Sequence, residues 1–296
     1  MEEYLKSKDS TLPRKCTSPI TRDYRPECDQ TSELGVSEAA YYQSLIGILR
    51  WIVELGRVDI TTEVSLLSSF MAMPRKGHLD QLYHIFGYLK SKHNGEMVFD
   101  PTEPEIDDSE FEREDWSHSV YGNRKEELPI NQPEARGYGF KIRAYVDSDH
   151  AGHTLTRRSR TGYIIYLINA PIYWTSKRQM SIQTSTFGSE FIAMKECCEY
   201  VRGLRYKLRM MGIPCDFPSY IYGDNKSVLV NSSIPTSVLK KKSSSIAYHF
   251  VREGVAADEW RISYIPTQDN VADILTKPIP NGEKRNKFIN MILHHI

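Results

Sequence analysis

Hydrophobic and polar positions change period along this chain, and each change marks an element. Residues 1–36 are polar, carry Pro13, Pro19 and Pro26, show no usable period, and read as a flexible leader. From Ser37, a fair N-cap, Tyr42, Leu45, Ile46, Leu49 and Ile52 recur at helical spacing. Ile60, Val64, Leu67 and Met71 repeat the pattern behind Asp59, and Leu79, Leu82, Ile85, Phe86 and Leu89 do so before Asn94-Gly95. Three amphipathic helices are therefore expected over 37–95. The pattern then breaks: Glu103 to Asp115 holds eight acids and one base, Arg113, so 96–140 reads as an acidic, solvated linker.

After residue 140 the period falls to two. Ile142, Ala144 and Val146 alternate with Arg143, Tyr145 and Asp147, the signature of a half-buried strand. Further strands are expected at Thr161–Ile168 and Ile172–Ser176, joined by a turn at Asn169-Ala170-Pro171. A long helix follows from Thr186 to Met211, closed by Gly212. "SYIYGD" and "WRISYIP" are strands, "NKSVLVNS" and "SSIAYHFVREGVAA" are helices, and "NVADILTK" opens a last helix. The order β-β-β-α-β-α-α-β-α implies an α/β domain over 141–280, a mixed five-stranded sheet flanked by helices, with 281–296 left as a C-terminal tail.

Composition alters this picture at three points. No apolar run reaches about 18 residues, and "MEEYLKSKDSTLPRK" lacks the apolar stretch of a signal peptide, so neither a membrane span nor secretion is expected. Five cysteines without a C-x-x-C pair read as buried reduced thiols of an intracellular protein. The net charge of zero hides an asymmetry: residues 1–140 hold 16 bases against 25 acids, and residues 141–296 hold 22 against 13. A basic half points to a polyanion as partner.

Four acids sit at element ends in that basic half: Asp147, Glu190, Asp224 and Asp273. Any one alone is adequately explained as a turn or first-turn residue. Brought together they would repel unless a cation intervened, and Mg²⁺ suits an all-oxygen site completed by phosphate and water. Two such ions can ready a water and stabilise the leaving oxygen of a phosphodiester.

Seven stretches, "VDSDHAG", "RRSRTGYIIYL", "IYWTSKRQ", "STFGSEFIAM", "YGDNKSV", "YHFVRE" and "YIPTQDNVADILTKPI", together resemble the ribonuclease H domain of copia-type LTR-retrotransposon Pol polyproteins. The helices at 37–95 resemble the end of the same polyprotein's reverse transcriptase (thumb or connection). The resemblance implies an RNase H-like fold and Mg²⁺-dependent endonucleolytic cleavage of the RNA strand of RNA–DNA hybrids, with two ions and Mn²⁺ as an alternative. It places the metal-binding catalytic carboxylates on Asp147, Glu190, Asp224 and Asp273, with Asp149 in support. It also implies the rest of a reverse transcriptase as partner and a virus-like particle or the nucleus as location; polymerase activity is not implied. The chain departs from the family at His150, where Trp or Tyr is common, and at Lys242-Ser243, where Lys-His is.

Residues expected to contact nucleic acid are Arg157, Arg158, Arg160, Lys177, Arg178, Lys240, Lys241 and Lys242, with Arg202, Arg205 and Arg209 as a stripe on the long helix. A solvated cationic face is the plainer explanation of that stripe. Ser185 and Thr186 read equally as helix caps and as hydroxyls facing a 2′-OH. A silent hybrid-binding or structural fragment is the alternative to the enzyme.

Overall fold

The computed structural model of the chain describes residues 11–122, 124–239 and 245–295. In chain order, helices α1 (Val36–Glu54), α2 (Thr61–Ser68) and α3 (Lys76–Ser91) precede a short strand, β1 (Glu96–Met97). Strands β2 (Ile142–Asp149), β3 (Arg160–Leu167) and β4 (Ala170–Arg178) lead to helix α4 (Thr186–Met210) and strand β5 (Ser219–Gly223). Then come α5 (Lys226–Ser233), α6 (Ser245–Ala256), β6 (Trp260–Tyr264), a 3-10 turn at Val271–Leu275, α7 (Glu283–Asn290) and β7 (Leu293–His294). The elements divide between two compact units: Met1–Val98 with Gly152–Arg157 and Lys277–Ile296, and Phe99–Ala151 with Arg158–Thr276.

The second unit is the RNase H-like mixed sheet, in the order β4-β3-β2-β5-β6. β2, β3 and β4 pair antiparallel, whereas β5 and β6 run parallel to β2. Every residue of β3 from Arg160 to Tyr166 is buried, which is why "TGYIIYL" reads as a run rather than an alternation. The hairpin turn falls one residue earlier than expected, at Ile168-Asn169, with Ile168 at φ 59°. Left-handed backbone costs a branched residue about 1–2 kcal/mol. Pro171 then lies inside β4, as an edge strand allows, since an edge has N–H positions that need no ladder partner. Ser185 caps α4 by accepting from the Gly188 N–H, and Gly212 at φ 77° follows its end. The face carrying Phe191, Met194, Cys198 and Val201 joins Ile142, Ala144, Val146 and Ile221 in one core.

The acidic segment keeps its acids from Glu103 to Asp115 exposed, but it is not a free linker. It lies against the sheet unit as a strap, anchored by aromatic side chains. Phe111, 1% exposed, sets its ring edge-on against Tyr220 and Tyr222. Trp116 is buried under the Arg252 guanidinium, which also covers Tyr121 and Tyr248 and donates to the carbonyls of Asn231, Ile234 and Pro235. Glu126 receives paired hydrogen bonds from Arg205 (2.8 and 2.7 Å) and further ones from Arg209.

Two expectations about the first unit also need correcting. The described part of the leader is fixed along α3 by hydrogen bonds: Thr21 N to Gln81 Oε1 at 2.9 Å, His78 Nε2 with the Pro26 carbonyl at 2.9 Å, and Ser91 Oγ to the Cys16 carbonyl at 3.0 Å. The C-terminal stretch is not a free tail. β7 pairs with β1, Phe288 is fully buried, and Arg285 (1% exposed) donates to the Asp59 carbonyl at 2.8 Å beside Glu63. No helix among the described residues is long and apolar enough to cross a membrane.

Candidate active site

Parallel pairing sets the first two acids side by side. Val146 of β2 is in register with Gly223 of β5, so Asp147 near the end of β2 and Asp224 just past β5 stand side by side at the C-terminal ends of two central strands. Glu190 arrives from the second turn of α4. Gln179, at the end of β4 and 2% exposed, holds that turn by donating Nε2 to the carbonyl of Ser189 (2.9 Å) and to Thr161 Oγ1 (3.1 Å). Asp147, Glu190 and Asp224 each offer an oxygen to a group whose members lie within 4.8 Å of one another. Glu190 and Asp224 themselves line a small cavity, together with Asn225 and the apolar Val146, Met194, Val228 and Leu229.

Two threonines aim these carboxylates. Thr276 Oγ1 donates to Asp147 Oδ2 at 2.6 Å, and Thr267 Oγ1 donates to Asp224 Oδ2 at 2.7 Å. Asn270, fully buried, caps the 3-10 turn by accepting from Ala272 N and donates its amide to the Val146 carbonyl at 2.9 Å. Both threonines lie in "YIPTQDNVADILTKPI", but nothing in a sequence separates an aiming hydroxyl from an ordinary turn threonine. His150 Nδ1 stands 3.3 Å from Ser189 Oγ, next to the cluster.

The fourth expected acid sits differently. Asp273 is buried in the 3-10 turn and is outside the group of three. "NVADILTK" forms a 3-10 turn over Val271–Leu275 rather than the opening of a helix. Its backbone carbonyl is 3.0 Å from the same Thr276 hydroxyl that holds Asp147.

The expected nucleic-acid contacts separate by burial and pairing. Arg157, Lys177 and Thr186 are exposed, and Arg158 and Arg178 are half-buried. Arg160 is buried, with Nη1 on Ser176 Oγ at 3.2 Å, and is a sheet residue rather than a surface cation. Ser185 is occupied as the α4 cap. The stripe on α4 is not open. Arg202 is bidentate to Glu259 at 2.7 Å and lies over Phe250, while Arg205 and Arg209 both close on Glu126. Burial alone would raise the Glu126 carboxyl, but the two guanidiniums outweigh it and hold it below the usual carboxylate range. Lys240, Lys241 and Lys242 lie outside the described residues.

Three carboxylates at this spacing form a donor set of oxygens alone. Two unit charges 4.8 Å apart repel by about 3.5 kcal/mol at an effective dielectric of about 20. A hard divalent cation relieves that repulsion and matches the donor atoms, so the residues fit such an ion.

No family model matches the chain. Its sequence is 27% identical over 261 residues to the retrovirus-related Pol polyprotein from transposon RE1 of Arabidopsis thaliana, covering 88% of this chain and 15% of that protein. It is 26% identical over 247 residues to the corresponding polyprotein from transposon TNT 1-94 of Nicotiana tabacum, covering 83% of this chain and 16% of that one. The chain thus spans about a sixth of the length of these two polyproteins. Among solved structures, RNase H1 of Halobacterium salinarum overlaps with a TM-score of 0.36 at 16% identity, over 46% of this chain and 94% of its own. The fold rests on the strand order and register given above. Over most of its length, the chain is homologous to the Pol polyproteins of copia-type retrotransposons.

Proposed function

We propose that the sheet unit is a divalent-cation-dependent endonuclease that hydrolyses the RNA strand of RNA–DNA hybrids. The observation that carries this reading is the meeting of Asp147, Glu190 and Asp224 at one end of the sheet, on elements far apart in the chain. Homology to Pol polyproteins supplies the substrate class, and the rest of a reverse transcriptase is the proposed partner.

In this reading Asp147, Glu190 and Asp224 hold Mg²⁺, with Mn²⁺ as a substitute, and Asp273 is the proposed fourth acid. When bound, the cations lower the charge barrier to attack by water and to departure of the leaving oxygen. The protein orients the carboxylates through Thr276, Thr267 and Gln179. Arg157, Arg158, Lys177, Arg178 and Thr186 are the proposed contacts to the nucleic-acid backbone. Water adds to phosphorus and the bond from phosphorus to the 3′ oxygen breaks. The products are a 3′-hydroxyl and a 5′-phosphate.

The test is a hybrid with labelled RNA, incubated with the full chain and Mg²⁺. RNA fragments with those ends, an intact DNA strand and arrest by a chelator are expected. A hybrid left whole with both Mg²⁺ and Mn²⁺ would overturn the enzyme and leave a silent binding fragment.

A further inference from the structure

The Asp147 carboxylate has a specific partner. Thr276 is 1% exposed, and its hydroxyl carries one proton. The shorter of its two contacts, 2.6 Å to Asp147 Oδ2, falls in the range of a hydroxyl bonded to a charged oxygen. The proton therefore goes there, and the 3.0 Å approach to the Asp273 carbonyl is the secondary one. Thr276 is held in place by a missing side chain: Gly162, opposite Asp147 in the β2–β3 register, lies directly beneath it. A Cβ at Gly162 would come within 2.7 Å of Thr276 Cγ2 and 2.8 Å of the Leu275 backbone. The 3-10 turn thus rests on the bare backbone of β3, and Asn270 ties its other end to the Val146 carbonyl.

This arrangement has a chemical consequence. A hydroxyl restricts rotation of the carboxylate without adding charge, and it leaves Asp147 with lone pairs for a cation. A lysine or arginine in the same place would orient the acid but oppose the ion. We infer that Thr276, seated on Gly162, is a positioning residue that presents Asp147 to a divalent cation; this rests on the metal-site reading above.

The test is Mn²⁺ titration of the full chain by calorimetry, with thermal melts in parallel. Thr276→Val should bind Mn²⁺ roughly tenfold more weakly, the lower end of what loss of an outer partner of a metal ligand costs. Thr276→Ser and Thr276→Ala both lose the methyl and differ only in the hydroxyl. Serine should keep near wild-type affinity and alanine should not, a contrast that decides the matter even where valine fails to fold. Equal affinity in the serine and alanine variants would overturn the positioning role while leaving the site intact. Equal binding by wild type and Asp147→Asn, or no binding by either, would instead overturn the metal site itself and the inference with it.

Discussion

The sheet unit holds buried and half-buried acids in two ways. At the strap, Glu126 lies between Arg205 and Arg209, so its charge is met by opposite charges that fasten one segment to another. At the end of the sheet, Asp147, Glu190 and Asp224 crowd one another, and Asp147 and Asp224 accept from threonine hydroxyls. The first arrangement favours the fold; the second keeps repulsion in place for a cation to relieve. Function therefore has to be sought where like charges are gathered, not simply where charge is abundant.

Substitutions should separate the two sites in opposite directions. Asp224→Asn should reduce hybrid cleavage by about 10³-fold or more, since several kcal/mol of charge stabilisation are lost and each 1.36 kcal/mol is a factor of ten. Its thermal midpoint should stay level or rise, because one repelling charge is gone. Glu126→Ala should do the reverse. It leaves Arg205, 3% exposed, without its carboxylate and should cost about 3 kcal/mol in denaturant unfolding, with cleavage per folded molecule little changed. A Glu126 variant that kept full stability, or an Asp224 variant that unfolded, would erase the distinction.

Gly162→Ala should cost about 2 kcal/mol by the same unfolding measurement, because its Cβ meets the buried Thr276 methyl and the Leu275 backbone at once. The smallest effect expected is on pH. The folded Glu126 carboxyl lies below its ordinary value, so its contribution is complete above the unfolded value of about 4.3 and is lost as pH falls through the lower, folded one. The strap should loosen as pH falls below that unfolded value, seen as a change in Trp116 fluorescence against a Trp116→Phe reference, and Glu126→Gln should flatten that acid limb.

What the sequence made legible was whatever repeats. The alternation in "IRAYV" and the helical spacing after Thr186 give the sheet and its long helix, because one buried face imposes a period. The strap lacks either period. Its anchors Phe111, Trp116 and Tyr121 stand five apart, a spacing that fits neither helix nor strand, within a run whose acidity reads as solvated. The arginine stripe on α4 was visible, but its carboxylates lie 57 to 83 positions away in sequence. Part of the charge asymmetry between the halves is therefore met inside the protein rather than by a polyanion. The acids of the site were legible as element ends, whereas Thr276, Thr267 and Gln179 were not, because a short hydrogen bond leaves no pattern.

The proposed function stands or falls on whether three acids from separate elements form one divalent-cation site. A crystal of the full chain soaked in Mn²⁺ and measured at the manganese edge tests it directly. An anomalous peak is expected among the carboxylates of Asp147, Glu190 and Asp224, lost in Asp224→Asn crystals. A map empty there while manganese binds elsewhere would contradict it.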